Sequence, residues 1–252
     1  MPKAGVCRGA LGALLLLATL QGPSALRAGA ETPELTDASK AGLRRVQATD
    51  CDRLAQPLRA AMGNLPALVD GVDYASLRWP AARAACARAM EEAPGEVRFV
   101  AFAGRAADKG GDAMAAARFY RAAADEGYPL AQTNLGVMYE RGEGGLRRDD
   151  REAARLYQLA ADQNFPAGQA SLGTFYMAGR GGLRRDEAQA ARLWRLAADA
   201  GNAQAQNNLG KLYAEGRGGL RRDMDEAAQL WRSAAEGGVV EARNNLRRAG
   251  RN

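Results

Sequence analysis

The string Gly-Gly-Leu-Arg-Arg-Asp occurs three times in this chain, at Gly144–Asp149, Gly181–Asp186 and Gly218–Asp223, always 37 residues apart. Leu135, Leu172, Leu209 and Leu246 keep the same interval. A fixed period between about 20 and 50 residues restricts a chain to an array in which each unit buries its apolar face against the next. Within each unit the pattern reads helix, short loop, helix. Ala131, Leu135 and Met138 recur at helical offsets, matched by Gly168, Leu172 and Phe175, then by Ala205, Leu209 and Leu212. Pro129 and Pro166 suit a first helical position, where no N–H is needed. Gly136, Gly173 and Gly210 fall inside this helix at a cost of about 1 kcal/mol each against Ala, so a second helix is expected to press close to the backbone there.

The second segment begins with Asp149, Asp186 or Asp223, each followed three residues on by Glu152, Gln189 or Glu226. That spacing predicts a reciprocal cap, Asp bonding the first turn and Glu or Gln reaching back. Ala153, Leu156, Tyr157 and Ala160 then form the inward stripe. Ala190, Leu193, Trp194 and Ala197 repeat it, as do Ala227, Leu230, Trp231 and Ala234. Small residues let two helices approach while one aromatic per unit fills the gap. Asn164, Gly201 and Gly238 supply the left-handed stop.

The period defines units 129–165, 166–202 and 203–239. Asp112, Tyr120 and Gly127 lie 37 residues before Asp149, Tyr157 and Asn164, and Gly104 answers Gly136, which gives a degenerate unit at 95–128. Residues 240–252 repeat only a first helix, over Val240–Arg248. Arg247 there replaces the expected glycine, as suits a capping helix with a charged outer face. Upstream, residues 80–92 read as a helix between Pro80 and Pro94-Gly95. It belongs to an N-terminal cap, 51–94, otherwise broken by Pro57, Pro66 and Gly71, and 31–50 is a polar, unpatterned leader.

Residues 1–30 have the layout of a cleaved export signal: Lys3 and Arg8, the apolar run Ala10–Leu20, then Ala28-Gly29-Ala30. An uncleaved anchor is the alternative. Cys7 precedes the apolar run, which disfavours a lipoprotein. Removing the segment takes away three basic residues and no acidic ones, so the formal charge falls from +6 to +3. That balance is no nucleic-acid signature, and no later segment is apolar enough to cross a membrane. The processed chain keeps Cys51 and Cys86. An even pair in an exported protein reads as a disulfide, two buried thiols being the alternative.

Ala131-Gln132-Thr133-Asn134-Leu135-Gly136, then Tyr139, Gly142, Gly145, Asp149, Ala153, Tyr157 and the Ala160-Ala161 pair resemble the Sel1-like repeat, a relative of the tetratricopeptide repeat with a longer loop inside each unit. The resemblance covers about Gly95–Leu246. It implies an all-α fold, a right-handed α-α solenoid of Sel1-like repeats behind the disulfide-tied cap, with a groove that binds proteins or peptides. Cys51–Ala55 and Ala85-Cys86 are similar to regions attached to such repeats in bacterial envelope proteins, which implies a periplasmic or secreted adaptor. A secreted branch of the family, described as binding or cleaving β-lactams, carries a cysteine pair in each repeat; Gly95–Asn252 contains none.

The chain has no histidine, which removes the usual general base and the commonest metal ligand. Gly-Gly-Leu-Arg-Arg-Asp lacks the Lys-Ser/Thr of a phosphate loop. No catalytic residue, cofactor or metal is therefore expected, and an envelope enzyme of β-lactamase-like activity or a β-lactam binder, of the cysteine-rich Sel1 kind, is the alternative function. Two features offer binding surfaces. Thr133, Val137 and Glu140 differ from their counterparts in later units, as do Thr174 and Met177, then Asn207 and Lys211, so these are the candidate groove positions. Gln132, Gln169 and Gln206 do not vary and are assigned to hydrogen bonds between repeats. Arg147-Arg148, Arg184-Arg185 and Arg221-Arg222 would form a basic edge along stacked loops. It could hold an anionic envelope polymer, or one arginine of each pair could bond its own helix while the other is solvated.

Overall fold

A computed structural model of the protein describes residues 79–250, all within a compact unit that spans residues 47–252. The expected signal at 1–30, the leader at 31–50, Cys51 and the cap as far as residue 78 lie outside the described residues. Among the described residues there are ten helices and no strand. Helix α1 (Trp79–Glu92) precedes four helix pairs. These are α2 (Val97–Lys109) with α3 (Ala113–Asp125), α4 (Pro129–Arg141) with α5 (Asp150–Asp162), α6 (Pro166–Ala178) with α7 (Glu187–Asp199), and α8 (Ala203–Glu215) with α9 (Met224–Glu236). A single helix, α10 (Val240–Arg248), follows. Each helix packs on the one before and the one after it, the nearest-neighbour arrangement of an α-α solenoid.

The helix ends are set locally. Pro129 and Pro166 open α4 and α6, and Gly142, Gly179 and Gly216 close the first helices in the left-handed conformation. Asp149 accepts from the N–H groups of Arg151 and Glu152, Asp186 from Gln189, and Asp223 from Asp225 and Glu226. Only half of the expected reciprocal cap forms. The Asp149, Asp186 and Asp223 N–H groups already donate to the carbonyls of Tyr139, Tyr176 and Tyr213 at 2.9 Å, which pins the loop back onto the first helix. Glu152 has no N–H left to take and pairs with Arg155 instead. Asn164, the sole non-glycine with positive φ among the described residues, ends the second helix of its unit.

The core of each pair is one aromatic laid against one glycine. A Cβ added at Gly136 would stand 2.6 Å from the Tyr157 ring, at Gly173 2.7 Å from the Trp194 Nε1, and at Gly210 2.6 Å from the Trp231 Nε1. Gly104 and Tyr120 repeat the contact at 2.6 Å, so the degenerate first unit keeps the same joint. The expectation of close approach therefore holds: the ring is nearest, and at Gly173 and Gly210 the second helix's Ala190 and Ala227 carbonyls follow at 3.3 and 3.2 Å. With no Cβ in the way, the Trp194 N–H reaches the Ala170 carbonyl at 3.0 Å and Trp231 that of Asn207 at 3.2 Å. Buried tryptophan N–H groups need such acceptors.

Successive pairs join through the loops. The first residue of each Gly-Gly pair sits on the preceding second helix: a Cβ on Gly181 would come within 2.5 Å of the Asp150 carbonyl and 2.6 Å of the Ala154 methyl. The Gly144 and Gly218 positions make the same contact with Ala113 and Glu187. The hydroxyl of Tyr139 accepts from Arg121 at 3.0 Å, and that of Tyr213 from Arg195, each arginine belonging to the unit before. Gln206 donates to the Ala198 carbonyl across a repeat boundary, whereas Gln132 accepts from Gln163 inside its own unit. Cys86 is fully buried on α1 with Ala82, Ala85 and Ala89, the face that α1 turns to α2.

Gly173→Ala tests the ring-on-glycine joint. Overpacking costs about 1–3 kcal/mol and outweighs the helix-propensity gain of about 1 kcal/mol. The midpoint of thermal unfolding should fall while helix content below the transition is unchanged. Gly95→Ala, at a glycine with no atom within 4 Å of the added Cβ, should show no such loss.

Candidate functional site

The variable residues of the first helices do not share one surface. Thr133 and Asn207, expected in the groove, are buried at 5% and 0% exposure, and Ala170 at the same position is buried too. The reason is where that stripe of the helix lies. It lies against the second helix, whose tryptophan bonds the carbonyl of Ala170 or Asn207 there. Thr133 turns its hydroxyl back to the Pro129 carbonyl at 2.9 Å. The Asn207 amide donates to Glu241 and accepts from Asn245, both on α10. Asn207 thus ties its repeat to α10 while Thr133 bonds within its own helix, and both are too buried to meet a ligand.

Val137 is half-buried against the cluster around Tyr157 and Phe175. Glu140 is engaged as well. It accepts from the Tyr157 hydroxyl at 2.9 Å and from Arg180 Nη1 at 2.7 Å. Burial, with the Glu140 charge beside it, pushes the Tyr157 phenol well above its ordinary pKa.

Thr174, Met177 and Lys211 do come together, in a cleft of about 300 Å³ between α6 and α8. Its floor is Met177, Trp194 and Leu212, and its charged rim is Lys211, Glu215 and Arg217. The cleft exists because α6 and α8 stand apart, whereas α4 lies directly against α6. Lys211 Nζ is 2.7 Å from Glu241, whose pKa it lowers.

The arginines of the basic edge divide into two rows. Arg148 donates to Asp150 at 3.3 Å, Arg185 to Glu187 at 2.5 Å and Arg222 to the Ala214 carbonyl at 3.0 Å. Arg147, Arg184 and Arg221 are exposed. The loops that carry them are held alike, so the three side chains start from equivalent backbone positions.

A second arginine pair emerges only from the folded structure. Arg180 grips Asp150, the first residue of α5, with Nε and Nη2 at 3.0 Å each, and its guanidinium lies 4.5 Å from the Phe175 ring centre. Arg217 grips Glu187, the first residue of α7, at 3.0 and 2.7 Å. Each link spans two repeats, and each carboxylate also sits at a helix N-terminus, where the peptide dipoles favour it. The sequence carries a signal for it. Ala113, Asp150 and Glu187 open the second helices, and Glu143, Arg180 and Arg217 follow each by 30 residues, so the arginine appears only where the acid does. Glu143, facing an alanine position, instead lies 3.9 Å from Arg141.

Hydrogen bonds from Arg217, then Arg185, hold the Glu187 carboxyl down from an ordinary 4.5 to about 2. A depressed carboxylate pKa contributes stability that is fully present above the unfolded value and is lost as pH falls through the folded one. The native protein should therefore be more stable than Glu187→Gln at neutral pH. In urea unfolding the gap should narrow from about pH 4.5 and close near pH 2. A gap independent of pH would show that the ion pair does not carry it.

The comparisons with known proteins follow the same geometry. The Sel1 repeat family matches residues 102–128, 129–165, 166–202 and 203–239. Among solved structures, c5321, a protective antigen present in uropathogenic Escherichia coli strains and displaying an SLR fold, is similar at 34% identity and a TM-score of 0.54. That match covers 64% of this chain and 34% of that one, so the chain spans about a third of its relative. A Sel1 repeat protein from Oxalobacter formigenes is similar at 30% identity and a TM-score of 0.53, over 62% of this chain and 64% of that one. No curated protein matches. Four tandem repeats covering more than half of the sequence, each closed by the same aromatic-on-glycine joint, place this chain in the Sel1 repeat family.

Proposed function

We propose that the protein is an exported scaffold of the bacterial cell envelope that binds a protein or peptide partner along the exposed face of α6 and α8. One observation carries this reading: the cleft between those helices combines an apolar floor of Met177, Trp194 and Leu212 with a charged rim, on a framework fixed by neighbours on both sides. Recognition sites commonly pair apolar contact with a few placed polar groups. The repeat fold supports the reading as a scaffold. The export part rests on the basic, apolar and small-residue segments of residues 1–30 and on the Cys51 and Cys86 pair.

A photoreactive residue in place of the exposed Thr174, introduced in intact cells, should trap one discrete protein species. The same residue at Leu159, on a second helix, should trap none. Equal labelling from both positions would remove the reason to place a partner in the cleft.

The export part has its own test. Protein taken from the envelope should begin at Glu31 and shift in mobility on reduction. Cys51→Ser should abolish the shift. Two alkylatable thiols in freshly isolated protein would contradict both the bridge and the oxidising compartment it requires.

A further inference from the structure

The position that opens the cleft is filled one repeat earlier by the chain itself. At Glu140 a carboxylate from the first helix of the unit bridges the tip of the second-helix aromatic, Tyr157, and Nη1 of the next unit's arginine, Arg180. One repeat on, Met177 stands where Glu140 stood, and Trp194 in place of Tyr157 directs its N–H to a backbone carbonyl. Arg217 keeps its two-pronged grip on Glu187 but receives no carboxylate from α6 and has only the Met177 sulfur at 4.0 Å on that side. Its Nη1, the counterpart of the nitrogen that binds Glu140, is held at 2.7 Å by Glu215, a side chain 51% exposed. Across the rim, Lys211 replaces Thr174 of the preceding unit and meets Glu241, which is 53% exposed.

We propose that this cleft receives a carboxylate of the partner, at the place Glu140 occupies one repeat earlier, with an apolar side chain of the partner beside it on Met177, Trp194 and Leu212. The inference rests on the peptide-binding reading above and specifies its chemistry. Arg217 Nη1 and Lys211 Nζ take the carboxylate, and Glu215 and Glu241, both half-exposed, give way to it. The lining offers two cations, each already paired, Lys211 with Glu241 and Arg217 with Glu187 and Glu215, so the case for an anion rests on the place that Glu140 holds one repeat earlier. A basic segment would meet Lys211 and Arg217 directly. The volume suits one or two residues, not a docked helix. An Asp or Glu side chain and a free C-terminus present the same group.

Two peptide display libraries separate those sources, one with random sequences held internally and one with free C-termini, each panned on the full chain and on Met177→Glu. Glutamate already occupies this position in the preceding repeat, so the variant should keep its helix content and its thermal midpoint. It should also close the cleft from within by pairing with Arg217. The native chain is expected to enrich peptides with Asp or Glu beside an apolar residue, or apolar C-terminal residues in the free-end library. Replacing that Glu by Gln, or amidating that C-terminus, should weaken binding about tenfold, the scale of one charge-assisted hydrogen bond. Met177→Glu should weaken it as much, and Lys211→Glu makes the same test from the rim if the first variant unfolds. Enriched peptides that need no carboxylate, or acidic ones that bind both variants as well as the native chain, overturn the inference but leave a peptide-binding groove standing. No enrichment from either library overturns both.

Discussion

Every repeat of this protein turns on one contact, an aromatic ring of the second helix pressed onto a glycine of the first. Tyr120 on Gly104, Tyr157 on Gly136, Trp194 on Gly173 and Trp231 on Gly210 are four copies of one joint. The glycine costs helix stability, and the ring recovers it by filling the gap at crystal-like density and, for the tryptophans, by bonding a backbone carbonyl that a Cβ would screen. With the helix separation fixed this way, the loop between the two helices has one path. It is tied at Asp149, Asp186 and Asp223, and the first residue of its Gly-Gly pair lands on the preceding unit. The regular stacking follows from that landing, since each unit then offers the next the same surface.

The departures from regularity carry the functional argument. Where Glu140 faces Tyr157 and Arg180, the space between the first helices is closed by the protein's own ion pair. Where Met177 faces Trp194 and Arg217, it is open. Met177 in place of Glu140, with Trp194 in place of Tyr157, removes an internal salt bridge and leaves an accessible cleft while the ring still rests on its glycine. A repeat array suits this division of labour, because the residues that repeat serve packing and those that differ are released from it. Buried exceptions such as Asn207 show the limit of that rule: it differs from Thr133 and Ala170, yet it serves the junction with α10.

Much of the fold was legible residue by residue. Proline at helix starts, aspartate caps, glycine and asparagine stops and the glycine inside each first helix all act within a turn or on the nearest helix, so a periodic sequence exposes them. The groove was legible only in part. Thr174, Met177 and Lys211 meet in the cleft, but Thr133 and Asn207 are buried, because helical angle separates one face from another and does not tell which face the next repeat will cover. The reciprocal cap failed for a related reason, since the Asp149 N–H had a partner ten residues upstream, at Tyr139. The links of Arg180 and Arg217 leave a fainter trace than the Arg-Arg pairs, only their covariation with Asp150 and Glu187 across repeats.

The sequence by itself determined the period, the helix pairs, their caps and the repeat family, because local propensity and nearest-neighbour packing are written within about 37 residues and repeated. Tertiary structure alone decided which variable residues remain exposed, and that the space between α6 and α8 stays open while that between α4 and α6 is closed. Those outcomes depend on side chains from neighbouring units meeting at one place. Spacing along the chain fixes when each arrives, but only the stacked helices fix which of them touch.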